Sequence, residues 1–122
     1  MGTLDRLLSG QTMLTARPEQ TAMEAAQILA THNIGALPVV AAGKVVGIVS
    51  ERDIIGRVVA SGRDPKTTSV EAIMTKNPVT VDAAQTPVDA IHLMRQHKCR
   101  HLPALREGKL LGMISLRDLI EV

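Results

Sequence analysis

The chain contains two copies of one sequence pattern, set 65 residues apart within its 122 residues. Residues 86–122 align with residues 21–57 without a gap, and roughly a third of the 37 aligned positions are identical. Chance agreement between segments of ordinary composition would give roughly two identities. Many of the remaining pairs exchange one apolar residue for another. This duplication predicts two half-domains of the same fold, related by a pseudo-twofold axis.

Local signals predict the same series of elements in each copy: strand, helix, strand, strand, helix. Thr21 followed by Glu24 predicts a capping box at a helix start. Thr86 followed by Pro87 predicts the matching start in the second copy, because proline suits the first helical position. Burial on the first of these helices is expected at Met23, Ala26, Ile28 and Leu29.

A predicted β-hairpin and a second helix complete each copy. Apolar runs flank turn segments at 41–43 and 106–108, which is the pattern of a hairpin. Residues 50–53 and 115–118 both have the pattern Ser-x-x-Asp, which predicts a capped helix start. One copy alone is too small to bury its sheet face, so we expect each copy to need the other.

The repeat divides the chain into three predicted segments. The first repeat covers residues 1–62 and includes an N-terminal lead-in, a linker covers 63–69, and the second repeat covers 70–122. Residues 4–9 of the lead-in resemble residues 70–75 when the offset becomes 66. A one-residue insertion or deletion reconciles the two registers.

Composition restricts the classes of protein to consider. The chain has no Phe, Tyr or Trp, so a planar ligand would be held by aliphatic side chains. The net charge is +2 and the charges of both signs are interspersed, so the sequence has no extended basic stripe for a nucleic-acid partner. The single cysteine, Cys99, allows no internal disulfide. No signal peptide or membrane span is visible, so a cytoplasmic protein without a membrane partner is expected.

The chain resembles the cystathionine β-synthase (CBS) domain family over nearly its whole length. Copy one carries the resemblance at residues 34–40 and 47–55, and copy two at residues 99–105 and 112–120. Residues 73–81 match the usual entry into such a domain. The resemblance implies an α/β fold of two β-α-β-β-α repeats, packed sheet to sheet with their helices outside, which together form a Bateman module.

Members of this family commonly sense adenosine-containing ligands such as AMP, ADP, ATP, NAD or S-adenosylmethionine. The resemblance implies a regulatory protein. The sequence has no paired catalytic carboxylates, no catalytic triad and no phosphate-binding loop, so we do not expect an enzyme, a catalytic cofactor or a metal. The resemblance also implies two clefts, each made by both copies. The first set is Thr21, Ala26, Ile34, Gly35, Ala36, Pro38, Met113, Ser115, Arg117 and Asp118. The second set is Thr86, Ile91, Cys99, Arg100, His101, Pro103, Ile48, Ser50, Arg52 and Asp53.

Elementary chemistry is consistent with these implied roles. A carboxylate at Asp53 or Asp118 can accept bonds from both hydroxyls of a ribose. The helix starts at Ser50 and Ser115 are expected to offer free N–H groups to an anion, and an arginine two residues later can bind a phosphate. The alternative is that Ser-x-x-Asp is an ordinary helix cap that needs no ligand.

The two copies differ at one part of the predicted site. Copy one has the neutral residues 34–36, whereas copy two has Cys99, Arg100 and His101. We expect the second cleft to hold phosphate more tightly, the alternative being a surface arginine and a satisfied histidine. His97, Cys99 and His101 alternate as metal ligands on a strand would, but His97 is expected to end a helix, which breaks the alternation. Cys99 is best explained as an apolar pocket wall.

Three functions therefore remain open. The favoured one is an adenosine-nucleotide sensor that signals to an effector on another chain. The alternatives are a structural or dimerisation module with empty clefts, and a nucleic-acid-associated factor, which the isoelectric point near 9.0 suggests. A homodimer is expected, with candidate contacts at residues 54–55 and 119–120.

Overall fold

The structure is a computed structural model that describes residues 2–120. It forms two compact units. The first-repeat unit is Leu14–Asn77, and the second-repeat unit combines the described parts of Met1–Met13 and Pro78–Val122. Each unit is a mixed α/β structure with a three-stranded sheet. The predicted fold class is therefore confirmed.

The first-repeat unit contains the sheet β1-β2-β3, in which neighbouring strands are antiparallel. A π-helical turn, Ile55–Val59, continues directly from the second helix of the unit and buries Val58. The elements in chain order are α2 (Ala22–His32), β1 (Ala36–Ala41), β2 (Lys44–Ser50), α3 (Glu51–Ile54), α4 (Val70–Ile73) and β3 (Thr75–Lys76).

The second-repeat unit contains the sheet β4-β5-β6, in which β4 runs parallel to β5 and β5 antiparallel to β6. Its hairpin has the same register as that of the first unit, since Leu102 pairs with Ile114 as Leu37 pairs with Val49. The elements are α1 (Asp5–Leu8), β4 (Val81–Asp82), α5 (Pro87–His97), β5 (His101–Arg106), β6 (Lys109–Ser115) and α6 (Leu116–Ile120).

Both hairpins turn through two residues with positive φ. The values are 51° and 76° at Ala42 and Gly43, and 52° and 78° at Glu107 and Gly108. Two consecutive left-handed residues give a turn whose twist matches that of the flanking strands. Glycine adopts this geometry without strain, which explains why both copies have it at the second position.

The capping box predicted at Thr21 is present, and the helix start predicted at Thr86 also forms one. The Thr21 hydroxyl accepts a bond from the Glu24 N–H, and the Glu24 carboxylate accepts one from the Thr21 N–H. Thr86 and Asp89 form the same reciprocal pair at the start of α5.

The buried stripe predicted on α2 is wrong in part. Of the four residues expected to be buried, only Leu29 is fully enclosed, while Met23, Ala26 and Ile28 are half-buried. The enclosed positions are Ala22, Ala25 and Leu29. These three positions follow the i, i+3, i+7 spacing of one helix face, and the N–H groups of Ala22 and Met23 donate to the Thr68 and Pro65 carbonyls.

The lead-in belongs spatially with the second repeat, although sequence order groups it with the first. Leu4 is fully buried and Leu8 nearly so, in the core that also contains Leu102 and Ile114. The matching segment of the second copy, residues 70–75, packs in the core of the first-repeat unit. Each unit is thus one repeat completed by the lead-in of the other. The boundaries at 62 and 70 remain a prediction.

Within residues 2–120, no helix is both long and apolar enough to cross a membrane.

Candidate functional site

The Ser-x-x-Asp segment after β2 forms a capping box. The Asp53 Oδ2 atom accepts bonds from the Ser50 N–H at 2.8 Å and from the Ser50 hydroxyl at 3.0 Å. In return the Ser50 Oγ atom accepts a bond from the Asp53 N–H at 3.2 Å. Asp53 is only 8% exposed, and among the described residues it is the one charged residue that is buried. Its burial is tolerated because its carboxylate is hydrogen-bonded.

The second repeat reproduces this geometry after β6. The Asp118 Oδ2 atom accepts a bond from the Ser115 N–H at 2.9 Å, and the Asp118 N–H donates to the Ser115 Oγ atom at 3.0 Å. The capping interpretation of both motifs is therefore confirmed. These cap bonds are accepted by Oδ2. Because a carboxylate has about four acceptor positions, the cap leaves others available to a ligand.

The expectation of free N–H groups is wrong for the first and third N–H groups of each of these two helices. The Glu51 N–H donates to the Gly35 carbonyl at 3.0 Å, and the Leu116 N–H donates to the Arg100 carbonyl at 2.8 Å. The Asp53 and Asp118 N–H groups are occupied by the serine hydroxyls. The chain itself satisfies these donors because the loop before each hairpin folds back onto the helix start.

In each unit, strand pairing places residues from the two predicted ligand sets side by side. In the first-repeat unit Ala36 pairs with Ser50, and Pro38 pairs with Ile48. The second-repeat unit repeats this with the pairs His101–Ser115 and Pro103–Met113. Each repeat therefore carries one half of each predicted set at the same end of its hairpin. The assembly of each complete set from both repeats remains a prediction.

Exposure separates the predicted ligand residues into three groups. Ala36, Pro38, Pro103 and Asp53 are buried. The exposed residues are Arg52, Arg100 and Arg117. The half-buried residues are Thr21, Ala26, Ile34, Gly35, Ile48, Ser50, Thr86, Ile91, Cys99, His101, Met113, Ser115 and Asp118. The apolar members of the half-buried group supply surface that a ligand can reach, and the exposed arginines supply positive charge.

The pKa is shifted for two capping carboxylates and for one thiol. The backbone N–H of Thr21 lowers the pKa of Glu24, and the backbone N–H of Thr86 lowers that of Asp89, because each donates to the carboxylate. Burial raises the pKa of the Cys99 thiol. A thiol kept protonated is a poor nucleophile, which agrees with the interpretation of Cys99 as a pocket wall.

The alternating His97, Cys99 and His101 do not lie on one strand. His97 is the last residue of α5, as predicted, and His101 is the first residue of β5. No group of three or more His, Cys, Asp or Glu side chains that could hold a metal ion occurs in the part of the chain described.

Arg57 contacts the predicted site but was not among the sequence-predicted residues. Its Nη1 atom donates to the Ile73 carbonyl at 3.0 Å and to the Met74 carbonyl at 3.2 Å. Its Nε atom lies 3.8 Å from the Asp53 Oδ1 atom. The signal available in the sequence was the four-residue spacing between Asp53 and Arg57, which places the two on one helix face.

A groove of about 480 Å³ lies within the first-repeat unit. None of the predicted ligand residues lines it. Its walls are Arg57, Ser69, Glu71, Ala72, Met74, Thr75 and Lys76.

Only part of the apolar surface predicted for a dimer contact is exposed. Ile55 is 64% exposed and Ile120 is 73% exposed. Leu119 is 8% exposed and belongs to the core of the second-repeat unit, so it cannot offer an apolar surface. Ile54 is half-buried against the core of the first-repeat unit. The helical period explains this, because adjacent residues point to different sides of a helix.

Comparison with known proteins shows relatives of the same architecture. A family model for the CBS domain matches residues 11–60 and 70–122. The CBS domain-containing protein YhcV of Bacillus subtilis (strain 168) is 40% identical over 105 residues, which are 86% of this chain and 74% of YhcV.

Solved structures agree with this match. A protein with CBS domains from Burkholderia ambifaria MC40-6, assigned to signal transduction, has a TM-score of 0.90 and 37% identity, covering 98% of this chain and 91% of that one. A hexameric CBS-CP12 protein from bloom-forming cyanobacteria has a TM-score of 0.88 and 29% identity, covering 99% of this chain and 71% of that one.

Proposed function

Because the chain belongs to the CBS-domain family and carries two such domains, we propose that it is a regulatory sensor of adenosine nucleotides. CBS-domain pairs generally have regulatory, ligand-binding roles rather than catalytic ones. The proposed ligand is AMP, ADP, ATP or NAD, bound by the two residue sets predicted from the sequence. The conformational result is passed to an effector protein, and no catalytic cofactor is required.

The proposal rests on the observation that Asp53 and Asp118 are held in the same way in the two repeats. Each carboxylate is held by its cap through Oδ2, at the end of a β-hairpin and beside half-buried apolar residues. A carboxylate fixed in this way keeps acceptor capacity for the two hydroxyls of a ribose.

Apolar side chains of the same ends support a base-binding role. Ile34 and Cys99 precede the hairpins, and Ile48 and Met113 lie on their second strands, all four half-buried. Aliphatic side chains and a thioether can enclose a flat base in a chain that has no aromatic residue. Recognition of adenine would then come from backbone groups.

The second cleft is proposed to hold phosphate more tightly. Arg100 is exposed where the first repeat has Gly35, and His101 is half-buried where the first repeat has Ala36. An arginine side chain forms strong charge-assisted bonds with phosphate. The R100A variant should therefore weaken ATP binding, and unchanged ATP affinity would contradict this assignment.

The test of the function itself is a thermal-shift panel with AMP, ATP, NAD and S-adenosylmethionine. A ligand at 100 times its Kd stabilises the folded protein by about 2.7 kcal/mol. D118N should reduce the stabilisation because it removes the charge while leaving an amide oxygen for the cap. D64N is the matched control, since Asp64 accepts a loop bond from the Lys66 N–H and neither residue is in a ligand set. Absence of stabilisation by every ligand would refute the proposal.

The proposal includes self-association and a cytoplasmic location. Ile55 and Ile120 offer exposed apolar surface on the helices that follow the hairpins. Similarity to a hexameric CBS-CP12 protein supports self-association. We propose a homodimer, which sedimentation at several protein concentrations would test.

A further inference from the structure

Arg57 distinguishes the first repeat from the second. At the offset of 65 residues its counterpart is Val122, which lies outside the described residues and carries no charge. We propose that Arg57 is a positioning residue, which sets the affinity of the Asp53 ligand set and couples its occupation to the segment α4–β3. This inference rests on the proposed nucleotide-binding function.

The guanidinium group of Arg57 joins two structures that lie 20 and 21 residues apart in the chain (73 − 53 and 74 − 53). One is the carboxylate of Asp53, whose Oδ1 atom lies 3.8 Å from Nε. The other is the end of α4, where the Ile73 and Met74 carbonyls accept bonds from Nη1. The last carbonyls of a helix have no partner within the helix, so Arg57 supplies one that α4 itself lacks.

The connection continues from α4 back to the predicted ligand set. β3 follows Met74 directly, and its residue Thr75 pairs with Ile48 on β2. Ile48 and Asp53 are both predicted to contact the same nucleotide, one at the base and one at the ribose. Along the chain, Ser50 lies between Ile48 and Asp53. Across space, Arg57 lies beside Asp53 and binds the Met74 carbonyl, and the next residue, Thr75, pairs with Ile48. Arg57 therefore closes a ring that fixes the distance between these two contacts.

In the second repeat a side chain, not a strand like β3, pairs with the equivalent strand, β6. There the Gln11 side chain takes the place of a strand, donating to the Met113 carbonyl at 3.0 Å and accepting from the Met113 N–H at 2.9 Å. The sequence provides no cation at the position equivalent to Arg57. Loss of Arg57 should therefore affect the ligand set containing Asp53 and leave the set containing Asp118 unchanged.

The physical effect of Arg57 follows from the burial of Asp53. A buried carboxylate is held in place by its charge partners as well as by hydrogen bonds. Lysine keeps the charge but lacks the planar fork that reaches two carbonyls and a carboxylate together. Ligand binding at Asp53 should also make α4–β3 more ordered, because coupling between two sites acts in both directions.

The experiment measures AMP and ATP binding by calorimetry in two backgrounds. In D118N the Asp53 set is intact, and R57K should lower AMP affinity about tenfold, as expected for residues that share one network. In D53N the same R57K change should leave the remaining affinity unaltered. R63K is the matched control, because Arg63 is an exposed arginine whose side chain contacts none of these groups. R57Q serves as the second variant if R57K does not fold.

Hydrogen exchange gives a second measurement. AMP should protect the amides of residues 70–76 in D118N, and R57K should abolish that protection. Retained affinity and protection when R57K is added to D118N, together with weaker binding in D53N than in the unmodified protein, would overturn the role of Arg57 but not the nucleotide function. Equal weakening in both backgrounds would also overturn it, because the effect would then be general. If the unmodified protein binds neither AMP nor ATP, the function and this inference fail together.

Discussion

Gly47 and Gly112 occupy equivalent positions on β2 and β6, yet the structure predicts different costs for replacing them with alanine. A Cβ atom at Gly47 would lie 2.6 Å from the Met74 Sδ atom and 2.9 Å from the Thr75 carbonyl oxygen. A Cβ atom at Gly112 would contact the Gln11 Oε1 atom and would lie 2.9 Å from the Leu8 Cδ2 atom. Ordinary contacts between carbon atoms are about 3.5–4.0 Å long, so both sites are too small for alanine.

The difference lies in what can move. Thr75 is held by its pairing with Ile48, so relief at Gly47 requires β3 to separate from β2. We expect G47A to cost about 3 kcal/mol, the upper end for an overpacked site. At Gly112 the obstacles are the ends of flexible side chains. Gln11 can rotate away at the loss of two exposed hydrogen bonds, so G112A should cost about 1–2 kcal/mol.

Urea unfolding of both variants measures these free energies, and a thermal scan gives a second estimate. For a chain of this length a loss of 1 kcal/mol lowers the Tm by about 4 °C. The double variant Q11A/G112A provides the control, because G112A should cost about 1 kcal/mol less once the Gln11 side chain is absent. Equal losses in G47A and G112A, or no rescue by Q11A, would refute this account of how the lead-in contacts β6.

Three further predictions follow from the hairpin, a cap and the helix surface. A42N should raise the free energy of unfolding by up to about 1 kcal/mol in urea, because asparagine tolerates a positive φ better than alanine; a loss would contradict the turn geometry. The pKa of Asp89 is lowered by its bond from Thr86, so this cap stabilises the fold above the ordinary carboxyl pKa and is lost as pH falls through the lowered value. The urea midpoint of D89N should therefore fall less than that of the unmodified protein on acidification, and parallel curves would count against it. I120S should reduce self-association in sedimentation while leaving the Tm unchanged, whereas L119A should lower the Tm; the reverse pattern would exclude the proposed contact.

Much of the fold was predictable because its signals are local. Spacings of three residues set the capping boxes at Thr21, Thr86, Ser50 and Ser115, since a cap needs only its own first turn. The hairpins were predictable from apolar runs around a glycine that adopts positive φ. The candidate site was predictable as a set of residues through the repeat and the family resemblance.

Other features depend on contacts between distant parts of the chain. The first N–H group of each of these helices, expected to be free, donates to the Gly35 or the Arg100 carbonyl, 16 residues earlier (51 − 35 and 116 − 100). The pairing of Arg57 with the end of α4 likewise requires α4 to be in place. Spacing along the sequence gives no information about which distant group will occupy a donor or cover an apolar face.

The amino-acid sequence by itself determined that this protein has two similar halves, the order of their elements and the caps and turns that bound them. Only the tertiary structure decided that the lead-in of each repeat completes the other repeat's core, with Leu4 and Leu8 packed in the second-repeat unit. The reason is that hydrogen bonds within one turn are fixed by neighbours in the chain. Burial of an apolar face, in contrast, is non-directional and goes to whichever segment of complementary shape the folded chain brings to it.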